Sequence, residues 1–206
     1  MKIKECEGAV IDATIIESAS RPKTVIEAVS EDRKEEEQKD KEIEISYAKD
    51  TDARWLKKGK KCYFGYKGFI ATDTKDGYIE KVHLTPANKS EVRQLEESLP
   101  DKKAKRIYVD KGYASKENRE KLKSLKIREG IMSKAYRGKR LSYWEKIRNK
   151  LISKKRFIVE QAFGTLKRRF NFTRAWYLTK EKVAAQFICK AICYNLLKAI
   201  NKVAWV

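Results

Sequence analysis

The sequence predicts a mixed α/β domain in which a small sheet is covered by helices. Three observations carry that expectation. Short runs rich in β-branched and aromatic residues recur up to Asp110, an Asp-Gly turn joins two of them, and from about Ser142 the apolar residues recur at helical spacing. With 206 residues, 41% of them hydrophobic, the chain can bury one core, and two large domains are not expected.

Residues 9–17, Ala-Val-Ile-Asp-Ala-Thr-Ile-Ile-Glu, read as a buried strand interrupted by Asp12, an acid that needs compensation there. Residues 18–50 change character: the charge run Glu31 to Glu44 has few apolar residues and no period, so the stretch reads as a mobile insertion or a solvated helix. From Lys61 to Pro86 the pattern is β, two strand-like runs around Lys75-Asp76-Gly77, a strong hairpin signal. Asn88-Lys-Ser90 suggests a cap for a helix from Glu91 to about Leu99. A strand at Arg106 to Asp110 follows, then a helix capped by Ser115 to about Leu125, and a short strand near Glu129 to Met132. The remainder predicts one long basic helix from about Ser142 to Phe170 and an amphipathic one from Lys180 to Ala199.

The net charge is +20 and the pI near 9.7, which points to a polyanionic partner, because surplus Lys and Arg bind phosphates by releasing their counterions. Nucleic acid is preferred to a membrane, since no run approaches about 18 consecutive apolar residues. MKIKECEGAV has no apolar signal core. The four cysteines, Cys6, Cys62, Cys189 and Cys193, form no disulfide framework, so the chain reads as cytoplasmic and reduced. Cys189 and Cys193 share a helical face without a second ligand pair, which favours buried thiols over zinc ligands. His83 is the only histidine, so a histidine triad is poorly supplied and acid and metal chemistry remains.

Between Lys134 and Arg174 fourteen Lys and Arg stand against two acids, Glu145 and Glu160. Within that region Arg156, Glu160 and Lys167 fall on one helical stripe by spacings of four and seven. An acid held in such a setting fits a divalent metal bound beside a polyanion. Two further acids stand out, Asp12 inside the first strand and Asp110 at the end of a central one. Each alone has a plainer explanation: Asp12 facing water from an edge strand, Asp110 capping the next turn, Glu160 pairing with Arg156. Taken together they suggest a metal pair about 3.5–4 Å apart, which turns the repulsion of neighbouring acids into binding.

Four stretches, Val10 to Glu17, Tyr63-Phe-Gly-Tyr-Lys-Gly68 with Leu84 to Asn88, Val109-Asp110-Lys-Gly-Tyr113, and Arg156 to Lys167, resemble the DDE transposases of bacterial insertion sequences, in particular the IS4/IS5-like group named after insertion sequence five. They run in family order through nearly the whole chain. The resemblance implies a ribonuclease H-like fold, with Asp12, Asp110 and Glu160 as the catalytic, metal-binding triad. It implies two Mg²⁺ (or Mn²⁺) ions that activate a water and then a DNA 3′-hydroxyl for in-line attack on a phosphodiester. Arg156 and Lys167 match the basic residues flanking the family glutamate, expected on the terminal DNA. Lys139, Arg140, Lys154, Lys155, Arg168 and Arg169 extend that basic surface along the helix, positioned to hold backbone phosphates. Trp55, Trp144 and Trp176 are candidates for stacking on a flipped base, with burial expected for at least two of them. Lys57, Lys58, Lys60 and Lys61 form a further basic cluster near the hairpin, with a solvated loop the equal alternative.

The chain departs from the family pattern in two places. Ser153 stands three places before Arg156, where relatives often carry tyrosine, and only eleven residues precede Asp12, where the group has a DNA-binding region. The second departure implies a split-gene or truncated product, with a separately encoded N-terminal DNA-binding partner or a remnant that only binds. Element ends and target DNA, and a homo-oligomer on paired ends, are the partners the family implies. A non-catalytic nucleic-acid-binding protein and a structure-specific nuclease on the same fold are the competing readings, and the enzyme requires the three carboxylates to converge. The apolar face Val183, Phe187, Ile188, Ala191, Ile192, Leu196 and Ala199 is expected to pack on the sheet, with a dimer seam as the alternative.

Overall fold

A computed structural model describes residues 7–22, 48–102 and 104–203. Six strands, β1 (Ala9–Glu17), β2 (Arg54–Lys58), β3 (Lys61–Asp73), β4 (Ile79–Pro86), β5 (Arg106–Val109) and β6 (Arg128–Ile131), form one sheet. Among the described residues three α-helices accompany it: α1 (Lys116–Ser124), α2 (Tyr143–Arg168) and α3 (Lys180–Val203). The longest strand, β3, pairs antiparallel with β1, β2 and β4, while β1, β5 and β6 run parallel to one another. The mixed sheet flanked by helices is a ribonuclease H-like fold, as the resemblance implied.

Alternation along β1 sends neighbouring residues to opposite faces and divides the core in two. Val10 and Ile16 join Tyr66, Ile70, Phe163, Leu166 and Phe187 on the face covered by α2 and α3. Ile11 joins Phe69, Ile107, Val109, Leu122 and Ile131 on the face covered by α1. Gly65 lies where β3 passes closest to β1: a Cβ there would stand 2.2 Å from the Ile16 carbonyl. The β3–β4 hairpin turns at Asp73 to Tyr78, where the Gly77 amide donates to the Asp73 carbonyl and Gly77 takes the positive φ its sequence position predicts.

Helix caps follow the sequence. Ser115 accepts from the Asn118 amide to start α1, and Ser142 with Glu145 forms a reciprocal capping box at the start of α2. The helix expected from Glu91 to Leu99 is instead a 3₁₀ turn over Glu91–Gln94, and Ser90 makes no side-chain cap bond. Pro100 bars the helix from running past Leu99, and the stop at Gln94 has no cause in the sequence.

The charge run Glu31 to Glu44 and Cys6 lie outside the described residues. The ends of the 18–50 stretch are part of the fold rather than an insertion: Ser18 and Asp50 are buried, and Asp50 accepts from the Ser18 and Tyr66 hydroxyls and the Thr179 amide. Asp50 thereby ties the end of β1, the middle of β3 and the start of α3 together.

Three expectations of burial are corrected. Trp55, Trp144 and Trp176 are all exposed: Trp55 packs on Phe64 beneath Arg21, and Trp176 lies under the Lys190 ammonium. Cys62, Cys189 and Cys193 are exposed free thiols. On α3, Val183, Phe187 and Ala191 are buried, whereas Ile188, Ile192 and Leu196 face outward. Among the described residues α3 alone is long and apolar enough to cross a membrane, yet one of its faces packs in the core on the sheet.

Candidate active site

The parallel pairing of β1 with β5 matches Val10 with Tyr108, and carrying that pairing on by two residues sets Asp12 beside Asp110. Asp12 lies within β1 and Asp110 just past the end of β5, brought together by a crossover that no local signal announces. From α2, Arg156 reaches over them. Its Nη2 lies 2.8 Å from Asp12 Oδ2 and its Nη1 3.5 Å from Asp110 Oδ1. The two side chains of the closer pair are 11% and 20% exposed, so they interact with little screening by water.

Burial pushes the Asp12 carboxyl above its ordinary pKa. Arg156 and the Ala13 amide, which donates at 2.9 Å, work against that rise, and Asp110 adds to it. Asp110 also caps the turn Lys111–Tyr113 by accepting from the Lys111 amide at 2.7 Å. The plain expectation of a capping aspartate therefore holds together with the site reading.

Glu160, one helical turn beyond Arg156, is exposed and lines a cleft of about 840 Å³ with Ala13, Lys57, Lys58, Lys67, Glu91 and Lys167. Lys167 is half-buried, and burial lowers its pKa, with Lys58 acting in the same direction and Asp12 against it. The structure thus joins Asp12, Asp110 and Arg156 directly and sets Glu160 and Lys167 in the adjoining cleft. Arg156 pairs with the strand acids and not with Glu160. Among the described residues no three Asp, Glu, His or Cys side chains stand close enough to hold a metal ion.

The donor chemistry nonetheless suits a divalent cation. Asp12 and Asp110 offer hard carboxylate oxygens, the deeper of them short of solvation, and both contact the Arg156 guanidinium. Glu160 is the carboxylate nearest along α2.

The remaining basic candidates divide among separate grooves. Lys154 and Lys155 line a groove of about 410 Å³ with Arg106 and Arg148, while Arg169 borders an aromatic hollow beside Trp176 and Tyr177. Lys139, Arg140 and Arg168 are exposed. Lys57 and Lys58 belong to β2, a strand not expected from the sequence, and face the cleft rather than a solvated loop. Sequence reasoning gave no role to Lys67 or Glu91. The signal for the first was a lysine inside the apolar run Tyr63 to Ala71.

Asp12 within β1 and Asp110 just past β5 lie on a ribonuclease H-like sheet under a basic helix that carries a third carboxylate, the arrangement expected of the DDE class of DNA-processing enzymes. The chain belongs to the transposase DDE domain family, whose model matches residues 6–196. It is similar to the transposase for insertion sequence element IS1106 of Neisseria meningitidis serogroup B, at 43% identity over 212 residues that cover 99% of this chain and 69% of the relative. No solved structure matches it. The chain is therefore a transposase catalytic domain of the insertion-sequence type.

Proposed function

We propose that this domain cleaves DNA at the ends of an insertion element and joins the freed 3′-hydroxyl to target DNA. The observation that carries the reading is the convergence of Asp12 and Asp110 on Arg156 of the basic helix. Asp12, Asp110 and Glu160 would hold the metal, two Mg²⁺ or Mn²⁺ ions. When bound, these ions lower the pKa of the attacking hydroxyl and stabilise the leaving oxygen.

The protein's own part is to place the strand. Lys57, Lys58 and Lys167 line the cleft beside Glu160 and supply positive charge along the path of a phosphate backbone. Arg156, Lys154, Lys155, Arg168, Arg169, Lys139 and Arg140 extend that charge along and before α2. No protein nucleophile is needed, because the attacking groups are water and a DNA hydroxyl. The domain acts in the cytoplasm, as a homo-oligomer on paired ends.

The test is strand cleavage and joining on labelled oligonucleotides carrying the element's ends, with Mg²⁺ or Mn²⁺, beside Asp110→Ala and Glu160→Ala. Metal-dependent products that both substitutions abolish support the reading. Products that survive both substitutions refute the site, and DNA binding with no product under any metal favours a binding remnant.

A further inference from the structure

Lys67 and Glu91 face the cleft and have no role in the triad. Lys67 lies in the middle of β3 with its side chain only 8% exposed. Its ammonium donates to the Lys89 carbonyl at 2.8 Å and stands 3.5 Å from Glu91 Oε1. An ammonium has three N–H donors, so these two partners leave one, and Lys67 lines the same cleft as Glu160 and Lys167. Burying a lysine in a strand costs solvation that an aliphatic side chain of similar volume would not.

Glu91 reaches from the turn after β4 toward the strand acids. A Cβ built on Gly112, two residues past Asp110, would lie 3.0 Å from Glu91 Oε2, which puts the Glu91 carboxylate against the turn that follows Asp110. Next in the chain, Tyr113 is fully buried and its hydroxyl has no hydrogen-bond partner. Burial first, and then the charges of Glu91, Asp12 and Asp110, hold that hydroxyl protonated, with Arg156 opposing. One hydroxyl in the field of three carboxylates ties Glu91 to the same electrostatic neighbourhood as Asp12 and Asp110.

We propose that Lys67 binds a backbone phosphate of the DNA strand in the cleft, and that Glu91, which lines the same cleft, is its positioning residue, holding the ammonium through their ion pair. The proposal rests on the DNA-processing reading above and adds a contact on β3, across the cleft from α2.

The test is equilibrium binding of the whole chain to a short fluorescent duplex across a potassium chloride series, with folding followed by circular dichroism. Lys67→Met is expected to lower the slope of log K against log salt by about 0.9, the share of one duplex phosphate. An unchanged slope in a folded Lys67→Met protein overturns the proposal. Glu91→Gln, at a partly exposed position and so tolerable to the fold, decides the positioning role by sign. Removing an acid from a DNA site should tighten binding by charge alone, whereas loss of positioning weakens it several-fold, with rescue by Glu91→Asp. Tighter binding of Glu91→Gln overturns that role, even where Lys67→Met fails to fold. A Lys167→Met control separates the two readings: if wild type shows no salt-dependent binding the functional reading fails, and if only the Lys67 and Glu91 variants match wild type the proposal alone fails.

Discussion

Replacing Arg156 by alanine removes the cation shared by Asp12 and Asp110, and the structure sets the size of the effect. Breaking a buried pair from one side costs about 3–5 kcal/mol, since the charge left behind is desolvated and unpaired. The pair with Asp12 meets that condition, both side chains being mostly buried, while the longer contact to the more exposed Asp110 adds little. For a chain of this size each kcal/mol moves Tm by about 2–4 °C, so a fall of roughly 6–20 °C is expected at neutral pH.

The pH dependence has a definite sign. Burial already holds the folded pKa of Asp12 above its ordinary value, so the folded chain keeps that proton more tightly than the unfolded one. Its contribution is most favourable below the ordinary aspartate range and is lost as pH rises through the raised value. Arg156→Ala removes the largest influence holding that pKa down, which extends the loss further toward neutral pH. Urea unfolding across that range should therefore show a small penalty for the variant in acid and a large one at neutral pH. The double variant Arg156→Ala with Asp12→Asn should recover much of the loss. A penalty below about 1 kcal/mol that does not change with pH would refute the argument, since that is how an exposed pair behaves.

Three other perturbations test the frame that carries the site. Gly65→Ala places a methyl group against the β1 backbone at Ile16, Glu17 and Ser18, where no flexible side chain can yield, and should cost roughly 3 kcal/mol or more by thermal melting. Asp50→Ala strands the hydroxyls of Ser18 and Tyr66 and the Thr179 amide, at about 1–3 kcal/mol for each unmet donor, so loss of a cooperative melt is expected, with Asp50→Asn milder. Ser142→Ala removes one half of the α2 capping box and should lower stability by about 1 kcal/mol in denaturant titration, with strand joining unchanged because the cap lies at the far end of the helix from Lys167.

What the sequence made legible was mostly local. The Asp76-Gly77 turn and the Ser115 cap are each decided within four or five residues and are found where expected, and α2 starts beside Ser142 as its pattern predicted. The 3₁₀ turn at Glu91 marks where local signals misled, since Ser90 has the right chemistry for a cap and no helix long enough to use it. Surface tryptophans misled for another reason: hydrophobicity predicts burial on average, yet Trp144 starts an exposed first turn against Tyr143 and Trp176 is capped by a lysine.

Asp12, Asp110 and Arg156 stood out in the sequence as separate candidates, and their meeting did not. Asp12 and Asp110 meet because two parallel strands come into register, and Arg156 joins them from a helix far along the chain. The helical stripe Arg156, Glu160, Lys167 is correct as a face, but spacing says nothing about what that face meets. Successive members of a stripe climb about 5.4 Å per turn, so residues one and two turns apart must stand over different parts of the sheet. Arg156 therefore falls on the strand acids while Glu160 and Lys167 fall on the cleft beside them, where Lys67 and Glu91 approach from β3 and the turn after β4. A pattern with a period of one helix cannot encode that second wall, because its residues belong to elements whose approach is set by the sheet.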